Sequence, residues 1–361
     1  MRYLLAPDGT LIVRGPASLR LLSGEATVLG APLEHGRKLV VRQEKQLPIE
    51  AKSEVDVEII LGESGKIFEI EGGTIPASWR SAVEAIAEMA QGKVLVIGAT
   101  DVGKSTLCTY LTNELLKRGL RLRLIDADIG QADIGPPTTI ASATPAGFLS
   151  SLVDLNPDAM IFIGHTSPSQ VETQLIEGIK RLGNQDQQSL TIINTDGWAL
   201  DPEAILYKIK LITATEPDLV VGLATGTELQ PILSGSRAIS INVEAPEIVL
   251  TRSRSDRREI RIAGYRRFLD GGTTRTLPLR KVKVRMPKGF PPLQSRYSRE
   301  LSNLIVGLLD EKGYLLQIGV LLDFGTGLLK VYSRPIEGVR EIELGYVKLS
   351  TDGVELGYLE F

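Results

Sequence analysis

Residues 93–106 read KVLVIGATDVGKST, an apolar run followed by a glycine-containing loop that ends in Gly-Lys-Ser-Thr. The loop satisfies the phosphate-binding pattern G-x-x-x-x-G-K-[ST] in full. The run 93–97 predicts a strand, and the amphipathic stretch 107–115 predicts a helix after the loop. Backbone N–H groups and a helix N-terminus bind phosphate in this context. We therefore predict that a nucleoside triphosphate binds to Gly98, Ala99, Thr100, Asp101, Val102, Gly103, Lys104, Ser105 and Thr106.

Two residues of this loop have chemical roles that follow from the motif. Lys104 reaches the β- and γ-phosphates, and the Ser105 hydroxyl ligates Mg²⁺. The motif does not identify the group that receives a phosphate.

Composition limits the classes of protein that the chain can represent. Its 361 residues predict more than one domain, and 43% hydrophobic with 24% charged residues is typical of a globular protein. One cysteine excludes an internal disulfide or a cysteine-based zinc site, and two histidines cannot build a histidine-based metal site. Because no apolar run reaches membrane-spanning length and the N-terminus soon becomes polar, we expect no membrane association and a cytoplasmic location.

The pattern along the chain predicts an α/β fold with three domains. Helical patterns alternate with apolar runs at 93–97, 122–125, 159–163, 190–193 and 219–223. This alternation predicts a central phosphate-loop NTPase domain with a parallel sheet flanked by helices, in which ligands bind beyond the carboxyl ends of the strands. Turn-punctuated alternating segments predict small β-rich domains at both ends. The predicted domains are 1–75, 76–277 and 278–361.

Two aspartates follow the second apolar run, in Asp126-Ala127-Asp128-Ile129-Gly130-Gln131. A carboxylate at this position after a phosphate loop holds Mg²⁺, and the other can accept a proton from an incoming hydroxyl. A regulatory GTPase is disfavoured, because Ile129 stands where its switch has glycine and no Asn-Lys-x-Asp motif occurs.

Polar clusters follow the next two runs, at residues 164–168 (GHTSP) and 194–198 (NTDGW). Each is either a plain loop or part of a binding site. Trp198 offers a flat face on which a nucleobase can stack, although a packed satellite-core position is an equally good interpretation.

A basic segment lies near the end of the predicted central domain. Residues 252–285 hold twelve Arg or Lys and three Asp or Glu, although the whole chain has a net charge of −3. Helical spacing places Arg254 with Arg258, and Arg257 with Arg261, on shared faces. Such a segment attracts polyphosphate or nucleic acid, and arginines from it can stabilise phosphoryl-transfer charge. The alternative is a solvated basic helix.

These motifs in this order resemble the polynucleotide 5′-hydroxyl kinase family, and the short chain looks like its archaeal members. The resemblance covers roughly residues 90–270 and includes the loop 98–106, Asp126-x-Asp128-x-Gly130-Gln131, the two polar clusters and the arginines of 252–258. It implies transfer of the γ-phosphate of ATP, with Mg²⁺, to 5′-hydroxyl ends of RNA or DNA. It also implies RNA-processing proteins as partners.

The resemblance implies the following residue roles. Catalysis falls to Lys104, Asp128, Arg254 and Arg258. Asp128 accepts the proton of the 5′-hydroxyl, and Arg254, Arg257 and Arg258 form a lid over ATP. Gln131 joins the nucleotide-binding residues. Mg²⁺ is held by Ser105, Asp126 and Asp128, and the terminal nucleotide by His165, Thr166, Pro168 and Trp198.

Other functions compatible with the motifs remain open at this stage. An ATP-binding scaffold of an RNA-processing assembly needs the fold without turnover. A partitioning or motor ATPase fits less well, because positions 99–102 lack the extra lysine of the former. The choice between RNA and DNA depends on contacts to a 2′-hydroxyl that no motif reveals.

Overall fold

The computed structural model describes residues 1–186, 188–287, 300–325 and 327–359. The chain divides into two compact units. The first contains Met1–Leu124, Thr144–Leu155 and Gln185–Asp256, and the second contains Ile125–Ala143, Asn156–Asn184 and Arg257–Phe361. The predicted domain boundaries at 75 and 277 stay predictions, and residues 288–299 of the third predicted domain lie outside the described residues.

The first unit begins with antiparallel strands, some of which alternate buried and more exposed side chains. They are β1 (Arg2–Leu5), β2 (Gly9–Arg14), β3 (Ala17–Ser23), β4 (Ala26–Val28), β5 (Ala31–Pro32), β6 (Lys38–Val41), β7 (Gln46–Ala51), β8 (Val55–Leu61) and β9 (Lys66–Glu71). They form two sheets, in the orders β1-β8-β3-β6 and β5-β4-β7-β2-β9. In β8, for example, Val55, Val57 and Ile59 are buried on one face.

Helices and strands alternate in the middle of the chain, as the sequence predicted, except that three strands follow one another between residues 122 and 162 without an α-helix. The elements are α1 (Ala77–Met89), β10 (Gly92–Gly98), α2 (Lys104–Lys117), β11 (Leu122–Ala127), β12 (Thr139–Ala143), β13 (Ala159–Phe162), α3 (Glu172–Gly183), β14 (Leu190–Thr195), α4 (Pro202–Thr215), β15 (Leu219–Ala224), α5 (Gln230–Ser236), β16 (Ser240–Glu244) and α6 (Arg254–Leu269). Two of the points at which the chain passes from one unit to the other lie inside an element, within β11 and within α6.

The parallel sheet of the first unit positions the phosphate loop. Strand β10 pairs in parallel with β14 on one side and with β15 on the other, and β15 pairs in parallel with β16. The run 94–97 is fully buried, which explains why it is apolar throughout rather than alternating. The predicted α/β class with a parallel sheet is confirmed.

The second unit contains a large C-terminal sheet. Its strands are β17 (Thr273–Pro278), β18 (Lys283–Arg285), β19 (Leu304–Leu309), β20 (Leu315–Phe324), β21 (Leu328–Ser333), β22 (Glu341–Leu349) and β23 (Glu355–Tyr358). The order is β17-β21-β20-β19-β22-β18, with β23 paired to β22. Tyr265 and Leu269 of α6 and Phe162 of β13 pack in the core beneath it.

One strand of the second unit differs from the sequence prediction. The run 159–163 forms β13, which pairs antiparallel with β12 in the register Thr139↔Phe162. Strand β12 reads TIASA and carries too little large apolar surface to be recognised in the sequence. Within the residues that the structure describes, no helix has both the length and the apolar character that a membrane crossing needs.

Candidate functional site

The phosphate loop connects the end of β10 to the start of α2. Asp101 has a φ of 60° and Gly103, which caps the helix, has a φ of 102°. Glycine enters this left-handed region without steric cost, so the second glycine of the motif is required by the backbone. Helix α2 therefore begins at Lys104, and its first amides, which a helix does not pair internally, lie at the loop.

Lys104 lies inside the loop that precedes it. Lys104 is only 7% exposed, and its Nζ donates a hydrogen bond to the Ala99 carbonyl oxygen at 2.7 Å. The ammonium group is thus held against the loop backbone, where a triphosphate would bring its β- and γ-oxygens.

The next residue, Ser105, is oriented by a strand neighbour whose role the sequence did not predict. Asn194 Nδ2 donates a hydrogen bond to Ser105 Oγ at 3.3 Å. Asn194 is the penultimate residue of β14 and lies opposite Val96 in the parallel pairing of β14 with β10. The oriented hydroxyl oxygen is the kind of hard ligand that Mg²⁺ takes, so Ser105 fits a metal-binding role.

Asp101 of the loop is held by an arginine whose role the sequence did not predict. The Arg252 amide and Nη1 donate to the Asp101 carboxylate at 3.1 and 3.2 Å. The same guanidinium donates twice to the Glu44 carbonyl oxygen, at 3.2 and 3.1 Å. Arg252 therefore links the strained residue of the phosphate loop to the connection between β6 and β7. This is a positioning contact within the first unit.

The loop that carries Trp198 packs directly on the phosphate loop. Thr100 Oγ1 donates to the Gly197 carbonyl oxygen at 3.2 Å. A Cβ atom at Gly197 would lie 2.6–2.9 Å from three atoms of Thr100, so only glycine fits there. The two sequence motifs therefore meet within the first unit, as the adjacency of β10 and β14 requires.

A buried ion pair supports the Trp198 loop. Lys208 is fully buried, and its Nζ lies 3.0 Å from Asp196 Oδ2 and 3.2 Å from Thr195 Oγ1. Asp196 also accepts hydrogen bonds from the Tyr207 hydroxyl at 2.9 Å and from the Trp198 amide at 3.0 Å. The charges are paired and hydrogen-bonded, which is the condition under which a buried charge is tolerated.

The Trp198 ring itself has one packed face. It stacks on Tyr207 with ring centroids 5.4 Å apart and planes 23° apart, and Nε1 donates to Asp201 Oδ2 at 2.6 Å. Trp198 is half-buried. The two alternatives of the sequence analysis are thus combined in one residue, because the ring is packed on one side and remains partly accessible.

In the second unit, Asp126 is buried at the end of β11. Its Oδ2 accepts hydrogen bonds from the amides of Asp133 at 2.6 Å and Ile134 at 3.1 Å. Burial, with the nearby charges of Asp133 and Asp128, raises the pKa of the Asp126 carboxyl above its ordinary value. A bound divalent cation would offset the cost of charging this carboxylate, so Asp126 fits a metal-binding role.

Asp128 and Gln131 belong to the turn that follows. Asp128 Oδ1 accepts hydrogen bonds from the amides of Gly130 at 3.2 Å and Gln131 at 2.9 Å. Gln131 Nε2 donates to the carbonyl oxygens of Gly130 and Arg257, at 2.7 and 3.3 Å. Because both partners are carbonyl oxygens, the atom that contacts them must be the nitrogen of the Gln131 side-chain amide. The buried Gln131 Oε1 then needs a hydrogen-bond donor, and no protein atom among the described residues supplies one. This acceptor suits a ligand hydroxyl or a bound water.

His165, Thr166 and Pro168 follow β13. The Ser167 amide donates to His165 Nδ1 at 2.8 Å, so Nδ1 carries no proton in this geometry, and burial lowers the pKa of the His165 imidazole. Thr166 Oγ1 shares a hydrogen bond of 2.7 Å with the Tyr358 hydroxyl. Pro168 opens the short 3-10 turn Pro168–Gln170 and is half-buried.

The arginines of α6 have different surroundings, which the helical spacing alone did not distinguish. Arg254, at the start of the helix, is exposed, and Arg257 is half-buried. Arg258 Nη2 donates to the Glu355 carbonyl oxygen at 2.7 Å. Arg261 makes a two-pronged ion pair with the Glu355 carboxylate, at 2.6 and 2.8 Å. Arg258 and Arg261 thus hold β23, and the lid roles of Arg254, Arg257 and Arg258 stay predictions.

The parallel sheet with its complete phosphate loop defines a P-loop nucleotide-binding protein. Residues 98–271 match the family model described as mRNA cleavage and polyadenylation factor CLP1 P-loop. A polyribonucleotide 5′-hydroxyl-kinase of Pyrococcus horikoshii is 31% identical over 79% of this chain and 94% of its own length. One of Pyrococcus furiosus is 32% identical over 74% of this chain and 90% of its own. This chain therefore belongs to the polyribonucleotide 5′-hydroxyl kinase family.

Solved structures show the same fold. A wild-type Clp1p–Pcf11p complex matches 96% of this chain and 97% of the solved chain, with a TM-score of 0.74 and 13% identity. A second Clp1p–Pcf11p structure, with a TM-score of 0.71, is described in terms of ATP loss in a point mutant. At this identity, the likeness shows the fold alone.

Proposed function

We propose that this chain uses ATP to phosphorylate the 5′-hydroxyl end of RNA. The observation that carries the proposal is the complete phosphate loop, with Lys104 held inside it and the Ser105 hydroxyl oriented by Asn194. Membership of a family whose curated members are named polyribonucleotide 5′-hydroxyl-kinases supports the choice of acceptor. DNA ends are a second acceptor within the same proposal, because the chemistry of a 5′-hydroxyl is the same in both.

The residues divide the work of phosphoryl transfer as follows. The 5′-hydroxyl oxygen bonds to the γ-phosphorus, the bond from that phosphorus to the β–γ bridging oxygen breaks, and ADP leaves. Asp128 accepts the hydroxyl proton, and Lys104 stabilises charge on the transferred group. Bound Mg²⁺ would neutralise phosphate charge, and Ser105, Asp126 and Asp128 are the residues proposed to hold it. Arg254, Arg257 and Arg258 cover the nucleotide, and Gln131 contributes its buried acceptor.

The acceptor strand is held by polar and aromatic groups. His165, Thr166, Pro168 and Trp198 contact the terminal nucleotide. Tyr207 occupies one face of the Trp198 ring, so stacking of a base would use the opposite face. We also propose an RNA-processing protein as a partner, which the Clp1p–Pcf11p complex supports by analogy of fold.

The direct test is transfer of label from γ-labelled ATP to a synthetic RNA that has a 5′-hydroxyl end. We expect labelled RNA in the presence of Mg²⁺, and none when the same RNA carries a 5′-phosphate. A matched DNA oligonucleotide measures the preference between acceptors. Binding of ATP without transfer to either acceptor would contradict the proposal and favour the scaffold alternative.

Replacing Lys104 by Ala is expected to lower kcat roughly 10²- to 10³-fold, because one preorganised charged donor to the transferred phosphoryl group is removed. Lys117→Ala is the matched control, since Lys117 lies on the same helix and pairs only with Glu114 at the surface among the contacts described. Steady-state kinetics with saturating ATP measure the effect. Turnover close to that of the control would contradict the role of Lys104.

Trp198→Ala is expected to weaken binding of the oligonucleotide by about 1–3 kcal/mol if the ring stacks a base. Trp198→Phe keeps an aromatic face and should retain most of the affinity. The KM for the oligonucleotide is measured for both variants beside the KM for ATP, which should not change. An unchanged oligonucleotide KM in Trp198→Ala would show that the ring serves packing alone.

A further inference from the structure

A second group of aromatic side chains lies in the second unit. The His165 ring is 5.5 Å from the Tyr346 ring, in an edge-on arrangement at 72°, and 5.3 Å from the Tyr358 ring, tilted by 39°. Tyr346 lies on β22 and Tyr358 on β23. We call these three residues the aromatic trio.

The aromatic trio is partly open to solvent. Tyr358 is 40% exposed, and His165 and Tyr346 are half-buried. Neither of the apolar core clusters described for the C-terminal sheet contains any of the three residues. A tyrosine ring that is partly open to solvent and rests on another ring, as Tyr358 rests on His165, is a flat surface suited to stacking.

The position of Tyr358 is fixed at both ends of its strand. Its hydroxyl is hydrogen-bonded to Thr166 Oγ1 at 2.7 Å. Three residues earlier, Glu355 is held by Arg258 through its carbonyl oxygen and by Arg261 through its carboxylate. A side chain that is already ordered loses little conformational entropy when a ligand binds, so the exposed ring is preorganised for a partner.

The trio lies beside the turn that carries Asp128. A Cβ atom built on Gly130 would be 2.8 Å from the Thr166 carbonyl oxygen and 3.6 Å from Asp128 Oδ1. The Asp128 turn therefore packs on Thr166, and the Thr166 side chain holds Tyr358. A polynucleotide whose 5′-hydroxyl approaches Asp128 would bring its bases to this surface.

We propose that Tyr358, supported by His165 and Tyr346, stacks a nucleobase of the acceptor strand, so that the C-terminal sheet forms part of the acceptor-binding site. This inference rests on the proposed 5′-hydroxyl kinase function. The ligand is a single-stranded polynucleotide, recognised by the flat face of a base rather than by its edge, and discrimination among the four bases is therefore weak.

The test measures coupling between the ring and one base of the substrate. Wild-type enzyme and Tyr358→Leu are compared on an intact RNA oligonucleotide and on versions with one abasic site at the first, second or third nucleotide. We expect Tyr358→Leu to raise the KM for intact RNA roughly 5- to 150-fold, the range that loss of one base–aromatic stack implies. At one position, the abasic site should raise the wild-type KM and have little further effect in the variant.

Three controls keep the result interpretable. Tyr358→Phe keeps the ring but loses the hydrogen bond to Thr166, so its KM should lie between those of wild type and Tyr358→Leu. Phe148→Ala, which removes another exposed aromatic side chain, should behave as wild type. The KM for ATP should not change in any variant, and thermal unfolding shows whether Tyr358→Leu is folded.

Two results would overturn the inference: an unchanged KM for intact RNA in Tyr358→Leu, or equal penalties from every abasic site in variant and wild type. Failure of the proposed function looks different, because wild-type enzyme would then transfer no phosphate to intact RNA. In that case, the same comparison by fluorescence anisotropy of labelled RNA still tests whether Tyr358 binds a base.

Discussion

Replacing Asp128 by Asn should reduce kcat roughly 10²- to 10⁴-fold, the range that general-base catalysis contributes, while ATP binding is retained. The variant is chosen because an amide oxygen can still accept the hydrogen bonds that the Gly130 and Gln131 amides donate to Asp128 Oδ1. The turn should therefore keep its shape. Only the ability to take a proton is lost.

Two measurements separate the roles that Asp128 can have. Single-turnover transfer reports the chemical step, and equilibrium binding of ATP with Mg²⁺ reports nucleotide affinity. Asp323→Asn is the control, since Asp323 is an exposed carboxylate on β20 of the same unit. If ATP binding collapses together with transfer, Asp128 is a metal ligand rather than the base. Normal transfer would remove it from both roles.

The second large effect concerns stability. Lys208→Met should lower the free energy of unfolding by about 3–5 kcal/mol, because it leaves the Asp196 carboxylate buried without its cation. Methionine keeps most of the volume, so the loss reports the charge rather than a cavity. Denaturant-induced unfolding measures the effect, with Lys210→Met as control on the exposed face of the same helix. A surface substitution of that kind usually changes stability by less than about 0.5 kcal/mol.

A double-mutant cycle identifies the cause of this loss. Adding Asp196→Asn to Lys208→Met removes the uncompensated charge, so the double variant should be more stable than Lys208→Met alone. The Asp196 side chain also accepts a hydrogen bond from the Trp198 amide. Lys208→Met should therefore disturb the proposed acceptor-binding loop around Trp198 as well as the stability of the fold. Strictly additive destabilisation in the cycle would show that the pair is not coupled.

The sequence predicted those parts of the molecule that local patterns determine. The phosphate loop, the helix after it and the strands β10, β14 and β15 follow from a motif and from buried apolar runs. Strand β12 was missed because its small residues carry no periodic signal, and the antiparallel direction of β13 is a property of its partner rather than of its own sequence.

The supporting contacts of the site were beyond prediction for a related reason. Lys208 occurs in a helix, where a lysine usually lies in solvent, and only the tertiary structure pairs it with Asp196. Arg252 lies 151 positions from Asp101 in the chain, and no spacing rule connects them. Asn194 was recognised as a turn residue, although the pairing of β14 with β10 gives it the task of orienting Ser105.

The packing of Trp198 has a practical consequence. The chain contains two tryptophans, and the other, Trp79, is fully buried with its Nε1 bonded to the Glu244 carbonyl oxygen. The intrinsic fluorescence of the unmodified protein therefore has two sources. Trp79 is shielded from solvent and should not respond to RNA, whereas Trp198 lies at the proposed acceptor surface. A titration with RNA can be followed optically without a dye, and Trp198→Phe supplies the blank for that signal.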